Sequence, residues 1–421
     1  MINRFKTYYI KTFGCRANQA ESIEIEKGLQ NAGCQPAGEG NFPDLAVINS
    51  CMVTKKAEKE VKQLARSLRQ RFPEAFLAIV GCGPAFWRLK KEKFISADRL
   101  FDNRQKSRLI SLLGRKFFCY CDSNHSSRKM FLSPLTSARV PVKIQDGCDQ
   151  FCAYCLVPYL RSKKISKPIE EVVAEINAWM NRGIKEVVLT GINLSLYQSG
   201  IAPLVREVLS HTKIARIRFG SIGIKVIDDK LAGLYAEEYQ KSREKTRLCR
   251  HFHIPLQSGS ERILQKMGRK YTPEEFKKKI TKIRRTIPGV TISTDLIVGF
   301  PGETRKDFLA SLGLIKKMAF IKVHVFRFSA REKTLAWEML KTKKWQPVSP
   351  AEIRKRALQA RGLASQIRRK EIQKFEGHKL TVLFEKEIRR GIFDGYTDNF
   401  IKLQKRSKKN LFGEIGSVIL K

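Results

Sequence analysis

KIQDGCDQFCAYCLVPY (residues 143–159) joins a strand-like run to three cysteines spaced Cys-x3-Cys-x2-Cys, at Cys148, Cys152 and Cys155, with Tyr154 just before the last. A 4Fe–4S cluster is normally held by four thiolates. Three leave one iron open, and an open iron can chelate the amino and carboxylate groups of S-adenosylmethionine. An electron from such a cluster then cleaves the sulfonium and releases a 5′-deoxyadenosyl radical. The same triplet could instead serve a zinc ion with a fourth ligand, for which His251 and His253 are the candidates. Position favours the cluster: the first cysteine falls just past the end of a strand that opens a series of βα units.

That series continues with EVVLTG (186–191), ARIRFGS (215–221), HFHIPLQ (251–257), VTISTDLIVGF (290–300) and KVHVFRFS (322–329). Helical periodicity separates them, as in residues 169–181, 272–286 and 304–318. Six strands with five crossovers predict a partial (β/α)6 barrel whose active face lies at the strand carboxyl ends. Glycine-bearing ends of these strands are candidate contacts: Thr190-Gly191 for the methionine amino group, Gln257-Ser258-Gly259 for the ribose or methionyl part, and Gly299-Phe300-Pro301-Gly302 as the floor of an adenine pocket. Each is equally readable as a turn that needs glycine. Beyond the barrel, residues 351–375 form a strongly basic helix. Residues 377–421 alternate short β-type runs with turn residues, predicting a small five-stranded β-barrel of the oligonucleotide-binding sort.

Upstream, YYIKTFG, DLAVINS and FLAIVG read as buried parallel strands, with helical periodicity over 22–32 and 54–71. This is a doubly wound parallel sheet, so the whole chain reads as α/β. Its three strands run into Cys15, Cys51 and Cys82. Ligands of open parallel sheets bind outside the strand carboxyl ends, which would bring the three thiols together. Buried cysteine used as packing is the plain alternative. A linker covers roughly 117–139 and carries Cys119, Cys121 and His125; apart from the Cys119-x-Cys121 pair, Cys34, Cys119, Cys121 and Cys249 lack partners at ligand spacing and read as structural or incidental.

The balance of 82 Lys plus Arg against 40 Asp plus Glu gives a net charge of +42, spread along the chain. Such a field suits a polyanionic partner, nucleic acid foremost. No secretory signal and no membrane-length apolar run are evident. The expectation is a cytoplasmic protein with no membrane partner, whose ten cysteines are not a disulfide framework.

With TFGCRANQAES, NSCMVTKKAEKEVK, VGC, KIQDGCDQFCAYCLVPY, VVLTGINLSLY, HIPLQSGSERILQKMGRKY and TDLIVGFPGET in order, the chain resembles the radical S-adenosylmethionine methylthiotransferases from about Thr7 to its end. The resemblance implies an amino-terminal cluster domain (1–115), a linker (116–137), a radical core (138–372) and a carboxyl-terminal TRAM barrel that binds RNA (376–421). It implies two 4Fe–4S clusters, one on Cys148, Cys152 and Cys155 that binds S-adenosylmethionine, and an auxiliary one on Cys15, Cys51 and Cys82 that carries the transferred sulfur. Tyr154, Thr190, Gly191 and Gln257 become cofactor contacts. The implied partners are tRNA, through its anticodon loop, a reductant of flavodoxin or ferredoxin type, and a sulfur donor. GCRANQAES resembles the form found in enzymes acting on N6-threonylcarbamoyladenosine. The isopentenyladenosine branch is the runner-up, and a non-catalytic iron–sulfur or zinc RNA-binding protein is the rival of another class. The chain departs from the family pattern at Ser221-Ile222-Gly223-Ile224, at Arg161-Ser162 and at Gly83-Pro84-Ala85.

Overall fold

The computed structural model describes residues 4–38, 41–94, 96–114, 117–118, 137–241 and 246–420. Nearly all of the expected linker, with Cys119, Cys121 and His125, lies outside the described residues. The chain divides into two units: 1–136 with 156–162, and 137–155 with 163–421.

In the first unit, β1 (Thr7–Thr12), β2 (Gln35–Pro36), β3 (Leu45–Ser50), β4 (Phe76–Gly81) and β5 (Arg99–Phe101) form a parallel sheet in the order β2-β1-β3-β4-β5. The central β3 is buried throughout, so its residues feed two cores alternately. Leu45 and Val47 pack with Ile25 and Leu29 of the helix Arg16–Asn31. Ala46 and Ile48 pack with Val61, Ala65 and Leu68 of the helix Lys55–Arg71. Helices thus cover both faces, as a doubly wound sheet requires. The first helix begins right after Cys15 and not near Ser22, because its opening turns bury Asn18, Glu21 and Ser22. Apolar periodicity cannot register polar residues that go inside.

The second unit holds β6 (Arg139–Asp146), β7 (Ile165–Ser166), β8 (Glu186–Gly191), β9 (Arg216–Phe219), β10 (His251–His253), β11 (Thr291–Val298) and β12 (Lys322–Arg327). Parallel pairing links β6-β8-β9 and β10-β11-β12. Single bridges, Ile217 to Leu248 and Ser221 to His253, join the two sheets at the β9–β10 seam. This is the expected six-stranded partial barrel, with the two-residue β7 added antiparallel to β6. Capping boxes start two crossover helices, Thr272 with Glu275 at Pro273–Thr286 and Thr304 with Asp307 at Arg305–Met318.

At the carboxyl end, β13 (Lys379–Arg389), β14 (Ile392–Thr397), β15 (Lys402–Arg406) and β16 (Ile415–Ile419) form an antiparallel sheet in the order β15-β14-β13-β16. Four strands stand where five were expected. The long β13 pairs on both sides and shifts register twice against β14, so one bent strand covers the length of two short ones. This sheet belongs to the same unit as the barrel. Arg216 and Arg218 donate to the carbonyls of Thr381 and Thr397 at 2.8 and 3.0 Å. Phe400, at φ +67°, stacks on His251 with ring centroids 4.3 Å apart. These contacts gather where the strands begin, at the end away from the cysteines. No helix among the described residues is long and apolar enough to cross a membrane.

Candidate functional site

Gly147 turns the chain out of β6 at φ +79°. A Cβ there would stand 2.0 Å from the Lys163 carbonyl oxygen, so glycine alone fits. The cysteine loop that follows is pinned by main-chain bonds to the end of the helix Glu261–Lys266 and the start of the helix Leu335–Lys341. The Ala153 N–H donates to the Met267 carbonyl at 3.0 Å, and the Ala153 carbonyl accepts from the Ala336 N–H at 2.8 Å. The Gln145 side chain donates to the carbonyls of Asp146 and Gly147 and accepts from the Asn193 N–H, at 2.7 to 2.8 Å.

On this loop Cys148 and Cys152 are buried and Cys155 is half-buried. The Cys148 sulfur accepts from the Gln150 N–H at 3.4 Å and the Asn193 side-chain amide at 3.6 Å. The Cys152 sulfur accepts from the Arg269 guanidinium at 3.6 Å. Tyr154 packs against Ala153, Ile263, Met267 and Phe300. Burial first, then the neighbouring Cys152 and Cys155, pushes its phenol well above its ordinary range. Its role at neutral pH is therefore that of an uncharged ring beneath the loop.

In the first unit β1, β3 and β4 are neighbours, and Cys15, Cys51 and Cys82 follow their carboxyl ends. Cys15 sits at the start of the helix Arg16–Asn31, and Cys82 opens the helix Cys82–Leu89. A Cβ on Gly14 would stand 3.0 Å from the Cys51 sulfur, so the Cys15 and Cys51 loops approach closely. Burial above all, then the sulfurs of Cys82 and Cys15, pushes the Cys51 thiol up to about 12, against the pull of Arg161. Asn103 donates to the Cys82 sulfur at 3.6 Å.

Both trios offer three thiols outside any disulfide, with N–H donors near Cys148, Cys152 and Cys82, a set that suits an iron–sulfur group. Among the described residues no three Cys, His, Asp or Glu side chains converge as tightly as a single ion demands. The histidines needed for the zinc alternative are engaged elsewhere. His251 bonds Ser293 at 2.8 Å, and His253 lies between Ser221 at 2.6 Å and Asp295 at 2.9 Å.

Thr190, Gly191 and Gln257 sit at the cysteine end of the barrel strands. A Cβ on Gly220 would stand 2.9 Å from the Thr190 hydroxyl. Gln257 holds a left-handed backbone at φ +67° while its N–H and carbonyl bond to Asp295 and Ile297. Few non-glycine residues adopt this region. The remaining pocket glycines do other work. Gly259 lets its N–H reach the Ser311 hydroxyl at 2.8 Å, and a Cβ would stand 2.6 Å from Ser311 Cα. Gly299 leaves room for Ile353, and Phe300 is buried against Phe328 and Trp345. Gly259 and Gly299 both serve helix packing, which is reason enough for glycine at these two positions.

Asn193, Arg269 and the Ser221–His253–Asp295 chain escaped the sequence reading. Asn193 and Arg269 lie inside the motifs quoted above, yet neither has ligand spacing, and closeness to a strand end was the one signal available. With Nε2–H donated to Asp295, His253 accepts the Ser221 hydroxyl proton at Nδ1 and fixes that hydroxyl at the β9–β10 seam.

A family model described as the Radical SAM superfamily matches residues 142–315, and one described as uncharacterized protein family UPF0004 matches residues 7–100. A protein named threonylcarbamoyladenosine tRNA methylthiotransferase MtaB from Thermotoga maritima is 33% identical over 99% of this chain and 94% of its own length. One of the same name from Chlamydia pneumoniae is 36% identical over 90% of this chain and 87% of its own. A tRNA-2-methylthio-N(6)-dimethylallyladenosine synthase from Clostridium tetani is 32% identical over 80% and 77%. Among solved structures, the radical S-adenosylmethionine methyltransferase TsrM from Kitasatospora setae aligns with a TM-score of 0.55 at 13% identity, covering 80% of this chain and 78% of that one. At that identity the likeness is one of fold.

Proposed function

Because this chain belongs to the radical S-adenosylmethionine methylthiotransferase family, we propose that it transfers a methylthio group to C2 of N6-threonylcarbamoyladenosine beside the tRNA anticodon. The observation that carries the reading is the pair of three-thiol sites, each at the carboxyl ends of parallel strands. In this reading Cys148, Cys152 and Cys155 hold one 4Fe–4S cluster with S-adenosylmethionine, and Cys15, Cys51 and Cys82 hold a second. Loaded in this way, the sites supply one-electron cleavage of a sulfonium, and with it attack on an aromatic C–H that no base of neutral water can deprotonate. The chain's own residues do the rest. Asn193 and Arg269 steady two cluster thiolates, Tyr154 supports the loop from below, and Thr190, Gly191 and Gln257 are the contacts we assign to S-adenosylmethionine. Electrons come from a flavodoxin- or ferredoxin-type protein and sulfur from a separate donor. A tRNA substrate makes the enzyme cytoplasmic.

An anticodon loop suits this site because its unpaired bases can be splayed out at small unstacking cost. We assign residues 376–421 as the RNA-binding TRAM module, following a cluster domain (1–115) and a radical core (138–372). Lys405, Arg406, Lys408 and Lys409 are all exposed on β15 and the turn after it. Changing these four to glutamine should weaken tRNA binding and flatten its log–log salt dependence by about 3, at roughly 0.7 to 0.9 per lost phosphate contact. An unchanged slope would remove this surface from the RNA site. The basic helix Pro350–Gln373 contributes less than its composition suggests, since Arg356 turns inward to Glu303 at 2.7 Å.

Nucleoside mass analysis of tRNA from a deletion strain tests the substrate. Loss of the methylthio form of threonylcarbamoyladenosine, with the isopentenyl form intact, is the expected result. The reverse pattern would move the chain to the other branch.

A further inference from the structure

The sheet β10-β11-β12 turns one face to the helices and the other to the inside of the barrel. Its outer face is apolar: Phe252, Ile292 and Leu296 are fully buried, and Phe252 packs on Tyr235 of the helix Asp229–Lys241. Alternate residues of a strand share a face, which puts His253, Asp295, Lys322, His324 and Phe326 together on the inner one. Their contacts agree. The His253 ring bonds Asp295 at 2.9 Å, and His324 stands edge-on to it with ring centroids 5.4 Å apart. Phe326 stacks on His324 at 6.4 Å and 19°. It stands near the cysteine end of β12 and is 47% exposed. At the other end of the strand Lys322 lies over the Phe400 ring at 5.9 Å.

This column of side chains runs from an exposed aromatic ring to a half-buried cation. Among the described residues Lys322 pairs with no carboxylate, and His324 makes no hydrogen bond. The acids at that end of the barrel are engaged elsewhere. Glu186 and Glu385 receive Arg139, Asp398 receives Arg250, and Asp394 receives Lys402. Burial first, then Arg368 and Arg139, lowers the Lys322 pKa, and an anion beside the ammonium would oppose all three effects.

We propose that this face seats the modified base: Phe326 stacks the adenine, and the threonylcarbamoyl arm runs inward past His324 and Asp295 to place its carboxylate on Lys322. The proposal rests on the reading that threonylcarbamoyladenosine is the substrate. Four residues of strand separate Phe326 from Lys322, about 13 Å at ~3.3 Å each, room for a base followed by its N6 arm. Unpaired bases commonly stack on such exposed aromatic rings. The arm offers ureido N–H groups to the Asp295 carboxylate, a carbonyl and a hydroxyl to the imidazole of His324, and a carboxylate to the ammonium. An isopentenyl arm offers hydrocarbon alone and would leave these polar groups unpaired, which is the strong form of substrate rejection.

The test uses the full chain, reconstituted anaerobically with iron and sulfide, and two synthetic anticodon stem-loops. One carries N6-threonylcarbamoyladenosine and the other its carboxamide, alike in size but uncharged. The parent should favour the acid roughly tenfold to a hundredfold in kcat/KM for methylthio product. Lys322→Met should bring that ratio to about one, and Lys322→Arg should keep it. Fluorescence anisotropy of labelled stem-loops gives the same ratio without turnover. If Lys322→Met fails to fold, Lys322→Gln poses the same question. Equal use of acid and carboxamide by the parent would overturn the proposal. So would a Lys322→Met protein that keeps the parent's ratio or weakens both stem-loops alike, the mark of a phosphate contact. A parent that modifies an isopentenyladenosine stem-loop and neither of these would overturn the substrate reading itself, and the seat with it.

Discussion

Changing any one of Cys148, Cys152 or Cys155 to alanine should reduce 5′-deoxyadenosine formation from S-adenosylmethionine to the level of a protein-free control. Iron after anaerobic reconstitution should fall from about eight to about four per chain. Three thiolates are already the minimum for a cluster that keeps an open iron, so no spare ligand compensates. The loop itself should survive, because the Ala153–Met267 and Ala336–Ala153 main-chain bonds hold it and the sulfurs do not. Melting temperature should therefore move little. Alanine at Cys15, Cys51 or Cys82 should give the complementary pattern, with 5′-deoxyadenosine still formed and methylthio product lost. Full 5′-deoxyadenosine yield from a Cys152→Ala protein would sink the assignment of that site. The rival view of a non-catalytic RNA-binding protein makes a different forecast, since it allows no 5′-deoxyadenosine even from the parent.

What was legible in the sequence follows from which interactions are local. The strands showed themselves because buried parallel strands are apolar along their whole length, as in LAVINS and FLAIVG. The cysteines showed themselves because each trio is placed by strand ends, and strand ends can be read one segment at a time. Residues that act across long separations stayed hidden. Glu21 and Arg161 are 140 positions apart, and neither has a pattern that points to the other. Asn193 reaches Cys148 from 45 positions away, and Arg269 reaches Cys152 from 117. Gln257 was singled out as a contact, but its left-handed backbone gave no signal, because pairing with β11 imposes it and a turn rule based on glycine cannot foresee that. At Arg161-Ser162, where the chain departs from the family pattern, the arginine is buried on Glu21, a partner that the local sequence does not reveal.

Glu186→Ala should be the most damaging single change outside the cysteines. The carboxylate is 1% exposed and faces three arginines: Arg218 at 2.6 Å, Arg216 at 3.6 Å and Arg139 at 3.7 Å. Burial alone would raise this carboxyl, but Arg218 foremost, then Arg139 and Arg216, override it and hold it down to about 2. Removing it leaves buried guanidinium groups without their shared anion, which costs about 3–5 kcal/mol and lowers Tm on the order of 10 °C. The sign of the pH effect follows from a folded value depressed below the unfolded one. The contribution is fully present above about 4.5 and is lost as pH falls toward about 2. Glu186→Gln keeps the shape and cannot ionise, so urea melts of parent and variant should differ most at pH 7 and converge through that acid window. Comparing the two proteins cancels whatever acid does to both. Parallel curves from pH 7 to pH 3, or a Glu186→Gln protein as stable as the parent at pH 7, would show that the three arginines do not depend on this carboxylate.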